Sequence, residues 1–75
     1  MNSTTFLDAK GLACPMPVVR ARKAMKEMAE GDILEIHTTD KGSVADLTAW
    51  SKSGGHQLLE QSEEGGIFKF WIQKG

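Results

Sequence analysis

Apolar residues fall into six short stretches whose spacing changes along the chain. Thr4-Thr5-Phe6-Leu7 is β-prone and runs into Asp8-Ala9-Lys10-Gly11, a turn signal, so a first strand is expected there. Val18, Ala21, Met25 and Met28 then recur three or four positions apart as one stripe of a helix, with Gly31 as its stop. Pro15 suits the first helical position, since the N–H it lacks would find no partner there. That placement puts Cys14 at the N-cap. Asp32 to Thr38 reads as a second strand rich in β-branched residues. Ser43 with Asp46 resembles a capping box with Asp in place of Glu, opening a second helix whose Val44, Leu47 and Trp50 face inward until Gly54-Gly55 ends it. His56 to Ser62 and Ile67 to Lys74 flank Glu63-Glu64-Gly65-Gly66 and predict a hairpin.

The order is βαβαββ. Strands joined by a helix should run parallel and the last pair antiparallel. The expected fold class is therefore α+β: a two-layer α/β sandwich, one domain over residues 1–75, with a four-stranded mixed sheet and two helices on one face. In the last strand Phe68, Phe70 and Ile72 are assigned to the core. Ile67 and Trp71 then lie on the uncovered face, either as partly shielded side chains or as a partner or dimer surface.

Length and composition narrow the chemistry. A chain of 75 residues buries a small core and has no room for a large substrate cavity, so its chemistry belongs at the surface. Its one cysteine cannot form an internal disulfide, which points to a reducing cytoplasm. Met1 to Asp8 has neither a basic lead nor an apolar stretch, against a signal peptide, and no apolar run is long enough to span a membrane. One cysteine and two separated histidines do not make a structural zinc site, and no metal or other cofactor is expected. The net charge of −1 hides an asymmetry. Residues 1–29 carry five cations and two carboxylates, whereas four lysines and eight carboxylates follow from Glu30 onward.

Cys14 is the candidate reactive group. A cysteine caps a helix poorly, so its presence at that position points to function rather than structure. A thiolate at a helix N-terminus is stabilised by the macrodipole, and Arg20, Arg22 and Lys23 in the first half of the helix are expected to lower the thiol pKa further. Bases first and acids last reverses good helix design, and broken local rules mark functional sites. Met16, Arg20 and Lys23 share the outward face, where a partner approaching Cys14 would meet them; otherwise they form a solvated basic face. His37 and His56 are expected to be surface residues rather than partners of the cysteine.

Leu7-Asp8-x-x-Gly11-x-x-Cys14-Pro15-x-Pro17, followed by an amphipathic helix, resembles the signature of the TusA/SirA-type sulfur carrier family, and the resemblance covers nearly the whole chain. It implies that Cys14 accepts sulfane sulfur as a persulfide from a donor such as a cysteine desulfurase or a rhodanese. It also implies that the sulfur passes to the next protein of a relay, so the protein acts as a sulfurtransferase-type carrier rather than a stand-alone enzyme. The residues suit this role. Sulfur transfer needs a thiolate that attacks an S–S bond, and the absence of a second cysteine keeps the cargo from discharging into a disulfide. Asp8 is expected to tie down the loop through backbone N–H groups, and Gly11 to supply a conformation barred to other residues, so that Asp8, Gly11, Pro15 and Pro17 support the motif. Ala13 and Met16 stand where members serving transfer-RNA thiolation often carry Arg and an acid, and Asp40-Lys41-Gly42-Ser43 replaces a proline-containing loop of some members. The resemblance therefore does not carry a particular pathway. The expected state is a monomer. The competing reading, an RNA-binding or regulatory protein-binding module in which Cys14 is not sulfurated, meets a negative net charge and few aromatic residues for stacking.

Overall fold

The computed structural model describes residues 3–75; Met1 and Asn2, at the start of the stretch read against a signal peptide, lie outside it. Six elements follow in the order β1 (Thr4–Ala9), α1 (Met16–Lys26), β2 (Ile33–Thr38), α2 (Gly42–Ser53), β3 (Gln57–Glu64) and β4 (Ile67–Gln73). The sheet order is β1-β2-β4-β3. β1 and β2 are parallel, with Thr4 opposite Ile33 and Ala9 opposite Thr38. β4 runs antiparallel to both β2 and β3. The expected βαβαββ sandwich with both helices on one face is thus the observed architecture.

The core lies between sheet and helices, where the period-two pattern of the strands meets the helical stripes. Leu34, Ile36, Phe70 and Ile72 from the central strands and Leu47 from α2 are fully buried, with Ala9, Ala21, Met25 and Met28 around them. Burying a side chain of this size contributes about 1.5–3 kcal/mol. Phe70 and Ile72 face inward as expected, with Phe68 packed at the edge of the cluster. Trp71 and Ile67 lie on the other face, half-buried. Phe6, also on that face, is 55% exposed and meets the ring of His37 edge-on at 4.8 Å.

Several boundaries differ from the sequence expectation. α1 ends at Lys26, not at Gly31, and the residues that follow form a turn held by Asp32, whose carboxylate accepts the N–H groups of Ser3 and Ala29, each at 3.1 Å. The hairpin turn contracts to Gly65-Gly66, both with positive φ, because a two-residue turn of that hand matches the twist of the flanking strands. β3 carries an irregularity between Leu58 and Glu60. The expected capping box is absent: Lys41 precedes α2 without any side-chain cap, and both Ser43 and Asp46 are engaged elsewhere.

Candidate functional site

Two loops meet at one end of the parallel pair. Because β1 and β2 run the same way, the loop after β1, containing Cys14, emerges beside the loop after β2, residues 39–41. Within the first loop, Asp8 Oδ1 accepts the N–H of Lys10 at 3.0 Å, which holds its carboxyl below the usual carboxylate range, and the Leu12 N–H bonds to the Ala9 carbonyl at 3.2 Å. Gly11 has φ of +83°, a backbone conformation that a side chain would strain. Two contacts then join the loops. Thr39 Oγ1 accepts the Gly11 N–H at 3.0 Å, and Asp40 Oδ2 accepts the Cys14 N–H at 3.0 Å. The same Asp40 oxygen takes the hydroxyl of the fully buried Ser43 at 2.9 Å. Ser43 therefore serves the cysteine loop rather than the cap of its own helix.

The start of α1 also departs from expectation. Pro15, not Cys14, is the N-cap, because its carbonyl accepts the first helical bond, from the Val19 N–H at 3.1 Å. The Met16 N–H is taken by the Ala13 carbonyl at 2.9 Å, in a turn across Cys14 and a cis Pro15 peptide. Cys14 thus stands one residue before the N-cap, exposed, while Pro17 is buried and fixes the helix against the core.

The electrostatics reverse the expected picture. Cys14 Sγ donates to Asp46 Oδ2 at 2.6 Å. This bond, with some desolvation and the charges of Asp46 and Asp40, pushes the thiol pKa up rather than down. Carboxylates from a distant stretch of chain therefore push the thiol in the direction opposite to the one expected from the cations of α1. Arg20 and Lys23 are exposed on α1 beside Val19, which is 46% exposed, and Met16, 39% exposed, stands at its start. The histidines keep away from the cysteine. His37 Nε2 pairs with Glu35 Oε2 at 2.7 Å on the open sheet face, and His56 packs against Trp50, where burial lowers its pKa. Among the described residues no group of three or more His, Cys, Asp or Glu side chains is arranged to hold a metal.

Comparison with known proteins decides the kinship. The family model described as Sulfurtransferase TusA matches residues 5–74. The chain belongs to the TusA sulfurtransferase family. Among its relatives, YrkI of Bacillus subtilis (strain 168) is 71% identical over 75 residues, all of both chains. The sulfur carrier protein TusA of Allochromatium vinosum is 48% identical over 68 residues, 91% of this chain and 90% of its own. YrkF of Bacillus subtilis (strain 168) is 56% identical over the whole of this chain, which spans 40% of that protein, so the same unit occurs there within a longer polypeptide. A crystal structure of a SirA-like protein from Desulfitobacterium hafniense superposes with a TM-score of 0.82 at 30% identity, covering 100% of this chain and 99% of that one. As a TusA-family member the chain is a sulfur carrier, a carrier-type sulfurtransferase that works with other proteins of a sulfur relay.

The structure gathers Cys14, Gly11 and Pro15 in one loop between Asp8 at the end of β1 and Pro17 at the start of α1, all residues that sequence reasoning singles out. Sequence reasoning missed Thr39, Asp40 and Asp46 as groups that touch the cysteine loop. The signal lay in the expectation of parallel first strands, which brings the two following loops to the same sheet edge.

Proposed function

We propose that Cys14 is the residue that carries the sulfur: it takes a sulfane sulfur from a donor persulfide, holds it as its own persulfide, and yields it to a thiol of an acceptor protein. The observation that supports this reading is the geometry of the cysteine loop. The only thiol of the chain is exposed at the tip of a turn whose backbone is tied to the neighbouring loop through Gly11 and Cys14. Such a thiol is accessible to another protein's sulfur yet held in one place, and no second cysteine competes for its cargo. Asp8, Gly11, Pro15 and Pro17 shape the turn. Met16, Arg20 and Lys23, with Val19, offer partners an apolar and basic surface on the same helix. A cysteine desulfurase or a rhodanese fits as donor. None of the described helices is long and apolar enough to cross a membrane, and a reducing cytoplasm suits a carrier that depends on a free thiol.

Intact mass after incubation with a cysteine desulfurase and cysteine, or with a rhodanese and thiosulfate, tests this reading. One added sulfur, removed by reduction and absent from Cys14→Ser, is the expected result. A wild-type protein that folds normally and gains no sulfur from either donor refutes it.

A further inference from the structure

The pairing of Cys14 with Asp46 makes little sense for a nucleophile kept permanently ionised. A carboxylate beside a thiol stabilises the protonated form, through both the S–H bond and the repulsion of a second negative charge. The charged groups that face Cys14 are Asp46 of α2 and Asp40 of the loop before it, both acidic. Asp40 is occupied by the Cys14 N–H and the Ser43 hydroxyl, so its position does not depend on what the sulfur carries. Asp46 bonds only to the sulfur among the described contacts, and is the one group whose interaction must change when the sulfur is loaded.

Loading exchanges one S–S bond for another. Cys14–SH attacks the outer sulfur of a donor R–S–S⁻; the Cys14 Sγ–S bond forms as the donor S–S bond breaks, and the donor leaves with the electron pair. The thiol proton ends on that leaving thiolate, giving Cys14–S–S⁻ and RSH. Sulfur, hydrogen and charge balance, and no outside oxidant is needed. Before the exchange Sγ donates a hydrogen bond to Asp46. Afterwards Sγ has no proton to donate, and the outer sulfur is an anion at neutral pH because hydropersulfides are more acidic than thiols.

We propose that Asp46 is a load-sensitive positioning residue: it latches the empty Cys14 thiol against α2 and repels the loaded persulfide outward, towards an acceptor. The proposal rests on Cys14 being the sulfur-carrying residue. Its consequence is thermodynamic as well as geometric. One carboxylate favours the empty carrier and disfavours the loaded one, so it shifts the exchange equilibrium towards sulfur release and protects the idle thiol from adventitious reaction.

Asp46→Asn keeps the shape and removes the charge, while Asp46→Ala removes the hydrogen bond as well. Two readouts are compared with wild type after thermal melts show each variant folded: the rate of iodoacetamide alkylation against pH, and the loaded fraction by intact mass at equilibrium with a fixed mixture of glutathione persulfide and glutathione. Both variants should shift the alkylation profile to lower pH and raise the ratio of loaded to empty carrier by about threefold or more, a moderate figure because the site is exposed and screened. A merely structural role would not move the pH profile. If wild type loads but either readout is unchanged or moves the opposite way in both variants, the latch is wrong. If wild type never loads from any donor, the carrier reading itself falls, which is a separate result.

Discussion

Asp40 bonds both the cysteine loop and the buried start of α2, so its removal has a calculable and coupled cost. Its Oδ2 accepts the Cys14 N–H at 3.0 Å and the Ser43 hydroxyl at 2.9 Å. Hydrogen bonds to charged groups contribute about 1.5–3 kcal/mol, and a buried donor left without an acceptor costs about 1–3 kcal/mol. The Cys14 N–H is exposed and returns to water, but the Ser43 hydroxyl is fully buried and does not. Asp40→Ala should therefore destabilise by about 2 kcal/mol, mostly through the stranded hydroxyl. Ser43→Ala leaves a carboxylate that water can reach, and should cost about 1 kcal/mol. In the double variant nothing is stranded, so its loss should be about 1 kcal/mol, about 2 kcal/mol short of additive. Urea unfolding followed by tryptophan fluorescence measures all three, with an unchanged slope confirming that midpoint shifts report stability. For a domain of this size the Asp40→Ala loss corresponds to a fall in Tm of about 8–16 °C. Additivity of the two substitutions within about 0.5 kcal/mol would refute the shared acceptor. Faster hydrogen exchange at the Cys14 amide in Asp40→Ala should accompany the stability loss.

Two further outcomes test the packing and the acid limb. Leu34→Ala opens a cavity at the centre of the sheet, where the side chain is fully buried, and should cost about 3–4 kcal/mol in thermal or urea unfolding; a loss below about 1 kcal/mol would contradict that placement. Asp32 has its pKa lowered by the N–H groups of Ser3 and Ala29, so its contribution is complete above the unfolded carboxylate value and is lost as pH falls through the folded one. Wild-type Tm should accordingly drop as the pH falls below about 4 more steeply than that of Asp32→Asn, and parallel curves for the two proteins would show that the carboxylate contributes nothing.

The fold was legible because each stretch carried one dominant period. Val18, Ala21 and Met25 mark a helical stripe that packs on the core, Ala21 and Met25 buried and Val18 partly so, and Phe70 and Ile72 alternate with Trp71 as a strand with one covered face requires. Boundaries were less legible, for a physical reason. Met28 continues the stripe and is buried, yet it lies beyond the last helical turn, because a side chain can reach the core from a turn as well as from a helix. Gly31 was read as the stop, while the chain leaves the helix at Glu27 and is pinned by a carboxylate that is only an acid in a strand-like run when seen in sequence.

The site divides along the same line. Cys14 and the residues around it form a local motif, and local motifs are visible in one dimension. The sign of the field at the sulfur is not local: the nearest residues in sequence, including Arg20 and Lys23, are cationic, whereas the groups that set the thiol's proton affinity come from 26 and 32 positions away. Counting charge along the chain therefore suggested the wrong direction for the pKa. Topology would have corrected it. A parallel β1 and β2 must place the segments that follow them on one edge, and the segment after β2 contains Asp40 and Asp46. The Ser43 and Asp46 pattern that looks like a helix cap is engaged otherwise: Ser43 donates to Asp40 three positions before it, and Asp46 accepts from Cys14 of the neighbouring loop. A carrier has reason to use such an arrangement. On the role proposed for Cys14, a donor and an acceptor would approach the same exposed thiol from the side of α1, while the groups that govern its protonation come from the loop before α2 and from α2 itself, where a docking partner need not displace them.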